Sequence, residues 1–170
     1  MGNTLILTGR KYMDYAVAAA LALRHFGTAD VLGMSRRRLS EFLEEVSGYS
    51  EIVILGVSLT GDVERLAKAL KELKNKAVKV TWISGIDFPE WMGDDIRSNL
   101  ESYVNDSESI SNAVTEYYKR KEGELAAYEE VNLPIGRQYI EFKEAAEYFY
   151  RNYQDEEAYP RVIRHIAAED

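Results

Sequence analysis

Along the first hundred positions apolar residues recur in two rhythms, short unbroken runs and longer stretches at helical spacing. Asn3–Leu7 is a short apolar run that stops at Thr8-Gly9, as a buried strand does. Met13–Phe26 is rich in Ala and Leu with neither Gly nor Pro inside, which predicts a helix. Gly27 then follows in the manner of a helix-ending residue. Asp30–Met34 reads as a second strand, after which Leu39, Phe42, Leu43 and Val46 recur at helical spacing ahead of Gly48. Glu51–Val57 is the plainest strand of the chain. Past the break at Ser58-Leu59-Thr60-Gly61, residues Val63, Leu66, Ala67, Leu70 and Leu73 mark the core stripe of an amphipathic helix. Val78–Ile83 predicts a fourth strand. The order βαβαβαβ, with strands apolar on both faces, predicts an α/β fold: a three-layer parallel sheet with helices on both faces.

Beyond residue 86 the pattern turns helical. Pro89 suits the first turn of a helix carrying Trp91, Ile96 and Leu100. Ile110–Lys121 and Glu124–Val131 read as helices divided by Gly123, Gln138–Tyr153 as a long helix, and Tyr159–Ala168 as a last one. The expected organisation is an α/β part over 1–104 and a mostly helical C-terminal part over 105–170 packed on it as one compact unit. Tyr139, Phe142, Phe149 and Tyr153 are roughly helix-spaced and read as a core stripe or, alternatively, a partner groove.

Composition narrows the chemistry. The 170 residues include no Cys, which removes disulfides, thiolate zinc sites, iron–sulfur clusters and cysteine nucleophiles together. Met1-Gly2-Asn3 runs straight into Leu5-Ile6-Leu7, too short a run for a signal peptide or a membrane span. The expectation is a soluble cytoplasmic protein. Residues 1–100 hold 13 Lys+Arg and 13 Asp+Glu, whereas residues 101–170 hold 8 and 16, so the second part carries the whole net charge of −8. That sign argues against strong nucleic-acid binding. The acidic half reads as a solvated face or as a surface for a basic partner.

Ligands of an open parallel sheet sit outside the carboxyl ends of its strands, so those four ends are where chemistry is expected. Neither G-x-G-x-x-G nor G-x-x-x-x-G-K-[ST] occurs there. Residues 56–61, GVSLTG, nearly match a nucleophile elbow, but Thr60 stands where the second glycine belongs. Only His25 and His165 could serve Ser58 as a base, and Ser58 reads better as a hydroxyl capping the next helix. Asp94 and Asp95 are adjacent on a helix and point about 100° apart, so they do not converge on one ion. Arg36-Arg37-Arg38 is the sole basic cluster, fit to grip a phosphate or carboxylate or simply to start a helix in solvent. Arg10, Lys11, Asp14, Arg36, Ser58 and Ser84 together form a candidate anion pocket at the strand ends.

Four segments carry a family resemblance: TLILTGRKYMDYAVAAALAL, SEIVILGVSL, VKVTWISGIDFPEW and SISNAVTEYYK. In order and spacing they are similar to the DHH phosphoesterase superfamily of RecJ-type nucleases, oligoribonuclease-like phosphodiesterases and pyrophosphatases, over roughly residues 3–121. The resemblance places Asp14 near the first motif's aspartates, Gly56 at the second motif's, and Ser84, Gly85 and Ile86 on the third. Family members use those positions to bind paired Mn²⁺ or Mg²⁺. Here Gly56, Gly85 and Ile86 offer no side-chain ligand. The resemblance therefore implies no metal, no cofactor and no catalytic residue. It implies an inactive DHH-like domain, a pseudoenzyme, that binds or scaffolds a protein partner or associates with itself. An alternative is a phosphate or nucleotide sensor using the strand-end crevice; a second is a weak Mn- or Mg-dependent phosphoesterase.

Overall fold

The computed structural model of the chain describes residues 3–9, 13–58, 63–85, 93–105, 110–122 and 158–168. They form β1 (Thr4–Thr8), α1 (Met13–Phe26), β2 (Asp30–Gly33), α2 (Arg36–Glu45), β3 (Glu51–Leu55), α3 (Val63–Asn75), β4 (Lys79–Ser84), α4 (Asp94–Arg97), β5 (Ser102–Asn105), α5 (Ile110–Glu122) and α6 (Ala158–Ala168). The five strands make one sheet in the order β2-β1-β3-β4-β5, and every pairing is parallel. This is a Rossmann-like α/β fold.

The strands alternate between two hydrophobic layers, as the two-residue period demands. Ile6, Val53, Leu55 and Ile83 face one layer, and Leu5, Leu7, Ile52, Ile54, Val80 and Trp82 face the other. Both faces are dry, so the strands read as unbroken apolar runs in the sequence. Helix α1 explains its own composition. Residues Ala16 to Ala22 are all buried, and α1 packs against the sheet, α5 and α6. A helix enclosed on several sides is apolar most of the way round, and its alanines let these neighbours approach closely. Arg24, in its last turn, donates from Nε to the Ala167 carbonyl at 2.7 Å. A cation thus meets the carbonyl end of α6, where the helix dipole favours it. On the opposite layer α2 and α3 bury Leu39, Leu43, Leu66, Leu70 and Leu73.

The structure differs from the sequence expectation after β4. No long helix runs to Leu100. A single turn, α4, buries Ile96 and ends where the Asn99 side chain donates to the Asp95 carbonyl. The chain then enters β5, which the hydrophobic pattern misses because its four residues are half-buried or exposed at the sheet edge. The helices expected over Glu124–Val131 and Gln138–Tyr153, and with them Tyr139, Phe142, Phe149 and Tyr153, lie outside the described residues, as do Pro89 and Trp91. Among the described residues no helix is long and apolar enough to cross a membrane.

Candidate functional site

The chain leaves β1 toward β2 on one side and, from β3 onward, builds the sheet on the other. Between the carboxyl ends of β1 and β3 the strand order therefore reverses, the place where open α/β sheets ordinarily open a ligand crevice. Here an aromatic ring lies in that place. A Cβ at residue 9 would stand 2.7 Å from the Gly56 carbonyl oxygen and 3.0 Å from the ring of Tyr15. A Cβ at residue 56 would stand 2.9 Å from three atoms of the same ring. Gly56 also has φ +67°, a conformation L side chains avoid. Tyr15, in the first turn of α1, is seated directly on two bare backbones.

The surrounding backbone is sewn to itself. Gly9 N–H donates to Leu55 O (2.8 Å), Met34 N–H to Thr8 O (2.8 Å) and Gly56 N–H to Ile83 O (2.9 Å). The buried Thr8 hydroxyl donates to Gly9 O (3.0 Å), and the Trp82 indole N–H reaches over from β4 to Val57 O (3.0 Å). These bonds carry the ladder one or two residues past the strands and tie the loop starts together.

Asp14 is engaged as well. Its carboxylate accepts from Ile110 N–H at 2.6 Å and from Ser111 N–H at 3.2 Å, and the Ser111 hydroxyl donates to Oδ1 at 2.6 Å. Ile110 and Ser111 open α5, so Asp14 satisfies amides that a helix start leaves unpaired. It does so from another element, the role an N-cap side chain has within its own helix. The same anion lies in the first turn of α1. Two positive helix ends therefore share one carboxylate.

The remaining residues of the predicted pocket differ in exposure. Ser84 is buried at the end of β4, 4% exposed, whereas Ser58 and Arg36 are exposed. Residues 59–62, between Ser58 and α3, lie outside the described residues, and the capping expectation for Ser58 falls on them. Arg10 and Lys11 lie outside the described residues, as do Thr60, Gly61, Ile86 and Asp87. His25 stacks on Tyr118 with centroids 4.1 Å apart. Among the described residues no three His, Asp or Glu side chains are grouped so as to hold a metal ion. Sequence reasoning missed Tyr15; the signal was present as glycine just past two strands, Gly9 and Gly56, with an aromatic opening the helix between them.

No family model matches the chain, and no curated protein matches it. Solved structures similar to it include a DNA-binding response regulator of the LuxR family from Staphylococcus aureus, at 20% identity over 69% of this chain and 97% of that one, with a TM-score of 0.44. A pilus assembly protein CpaE from Caulobacter crescentus is similar at 12% identity, over 71% and 99%, with a TM-score of 0.45. A de novo designed Rossmann 2x3 fold protein is similar at 19% identity, over 74% and 94%, also at 0.45. At these identities and scores the likeness is one of fold and carries nothing about activity. The expected DHH membership is corrected: the similar structures are response-regulator, pilus-assembly and designed Rossmann proteins, no phosphoesterase model matches, and Asp14, the one retained motif position, caps α5. The inactive-phosphoesterase scaffold, the nucleotide sensor and the weak hydrolase fall with it.

Proposed function

We propose that the chain is a protein-binding α/β domain that works through its outer surface rather than through chemistry at its strand ends. The observation that carries this reading is the seat of Tyr15 on Gly9 and Gly56, which places a ring where a ligand of this fold class would lie. The internal use of the Asp14 carboxylate, the Trp82 N–H and the amides of Gly9, Met34 and Gly56 supports it, because each of these groups already has a partner within the domain. A protein partner suits a domain with a ring seated between the ends of β1 and β3, since surface contact needs no cavity.

The test has two arms. A thermal-shift panel of ATP, GTP, acetyl phosphate and MnCl₂ should leave Tm unchanged. A ligand held at a hundred times its Kd would add about 2.7 kcal/mol and move Tm by about 5–10 °C. Crosslinking in cells should capture a protein that, once purified, binds the full chain in calorimetry. A Tm shift with any member of the panel, or chelator-sensitive turnover of a phosphodiester, would overturn the reading.

A further inference from the structure

We infer that a cavity at the amino ends of β1, β3 and β4 is a binding site for a small apolar monocarboxylate. It lies at the opposite end of the sheet from Tyr15, between the loop leading into β3 and the turn leading into β4. Its volume is about 470 Å³, within the range of small-molecule sites. Val46, Ile52, Leu73 and Val78 line it, Ile52 and Leu73 buried and the two valines half-buried. These four give the cavity an apolar floor. Asn3, Ser47, Ser50 and Lys76 also line it and are exposed, so the rim is polar.

Both walls are held in place by the chain itself. Asn3 Nδ2 donates to Gly48 O at 3.2 Å and Ser50 Oγ to Asn3 O at 3.1 Å, fixing one wall to the start of β1. In the other, Val78 N–H donates to Leu73 O and Ala77 N–H to Lys74 O, both at 2.9 Å, the pair of bonds that ends a helix at a left-handed residue. That residue is Ala77, at φ +62°, and the stop leaves Leu73 and Val78 on the cavity together. Lys79 N–H donates to Ser50 O at 3.0 Å and joins the two walls. A cavity built in advance spares a ligand the cost of ordering it.

The rim decides the ligand's charge. The described residues lining the cavity include one ammonium, Lys76, and no Asp or Glu. Glu51 has the parity of Val53 and so faces the other side of the sheet from Ile52. Glu45 and Glu72 are exposed and lie outside the lining. Glu72, one helical turn before Lys76, is spaced to pair with it in solvent. A headgroup needs the field of that ammonium at the cavity mouth, not an ammonium without partners. One point charge and the Ser47 hydroxyl suit a carboxylate, whereas a phosphate ester carries more charge than one ammonium offsets.

The experiment titrates butyrate, hexanoate and octanoate into the isotope-labelled full chain in about 20 mM salt, where screening is weak, and follows amide shifts by NMR. Octan-1-ol and octylammonium are the neutral and cationic chains of equal length. The octanoate shifts should saturate and be largest over residues 46–50 and 76–78. Each added pair of methylenes should tighten binding about tenfold as the chain enters the apolar floor. Lys76→Glu should weaken octanoate at least about tenfold and leave octan-1-ol within about twofold. Lys71→Glu, an equal charge change at an exposed position outside the cavity, should alter octanoate affinity by less than about twofold. No saturable shift with octanoate, affinity independent of chain length, octylammonium binding as tightly as octanoate, or equal losses in the two variants would each overturn the inference. It goes beyond the protein-binding reading and does not rest on it, and that reading stands or falls on its own panel of phosphates and Mn²⁺.

Discussion

The ring of Tyr15 rests on Gly56, whose absent Cβ would meet three ring atoms at 2.9 Å. The contact joins α1 to the end of β3, and it needs glycine twice over, for the space and for φ +67°. Gly56→Ala should therefore cost about 2–3 kcal/mol, the sum of left-handed backbone strain and displacement of the ring. In Tyr15→Ala the space constraint is gone while the strain stays. Gly56→Ala on that background should cost only about 1–2 kcal/mol in urea denaturation, a non-additivity that two independent sites would not produce. Full additivity would show that the ring and residue 56 do not meet.

Asp14→Ala should destabilise the protein by about 1–2 kcal/mol, because two amides and a hydroxyl at the start of α5 lose their acceptor. Asp14→Asn keeps an acceptor oxygen but loses the charge, so its loss should be roughly half as large. Hydrogen exchange should locate the difference at Ile110 and Ser111. A metal-site role predicts something else, a variant of wild-type stability that loses a Mn²⁺-dependent Tm shift.

Alkaline stability should carry the mark of Tyr49. Its hydroxyl donates to Asp30 at 2.5 Å, and this bond, with burial and the negative charge of Asp30 adding to it, pushes the phenol up to about 12. The neutral, protonated form is the one the fold favours. Its contribution is full below the unfolded phenol's value near 10 and is lost as pH rises from about 10 to about 12. Wild-type stability should fall across that window, and Tyr49→Phe should flatten part of the fall while lowering stability at pH 7. Equal slopes for the two proteins would show that the bond is not formed in solution.

Among the described residues two buried hydroxyls have no hydrogen-bond partner: Thr81 Oγ1 and Tyr118 Oη. Tyr118 is 2% exposed, and burial pushes its phenol far above the ordinary range. An unsatisfied buried hydroxyl costs about 1–3 kcal/mol. Tyr118→Phe and Thr81→Val should each leave Tm unchanged or raise it, by up to about 4 °C. A loss instead would place a bridging water at that hydroxyl.

Helix α1 was legible in the sequence end to end as an alanine-leucine run without a breaker, and β3 as the run EIVILGV, of which the strand takes Glu51–Leu55 before the backbone turns at Gly56. Their patterns are strong because both elements are buried on most sides. Strand β5 was not legible, since an edge strand of four half-exposed residues leaves no periodic trace. Of the candidate site, the sequence singled out Asp14, Ser84 and Arg36 but could not tell what each would meet: Asp14 holds the start of α5, Ser84 is buried and Arg36 is exposed.

The sequence by itself determined the alternation of strands and helices and the double-faced burial of the sheet, because burial of apolar side chains follows local period. It also decided what Gly9 and Gly56 could never hold, a side chain. Tertiary structure alone decided what fills that space. Residues 9, 15 and 56 meet only once parallel pairing aligns β1 with β3, and Asp14 finds Ile110, 96 positions away. No pattern of near neighbours encodes a contact of that separation; it exists because the closed core leaves those groups one place to go.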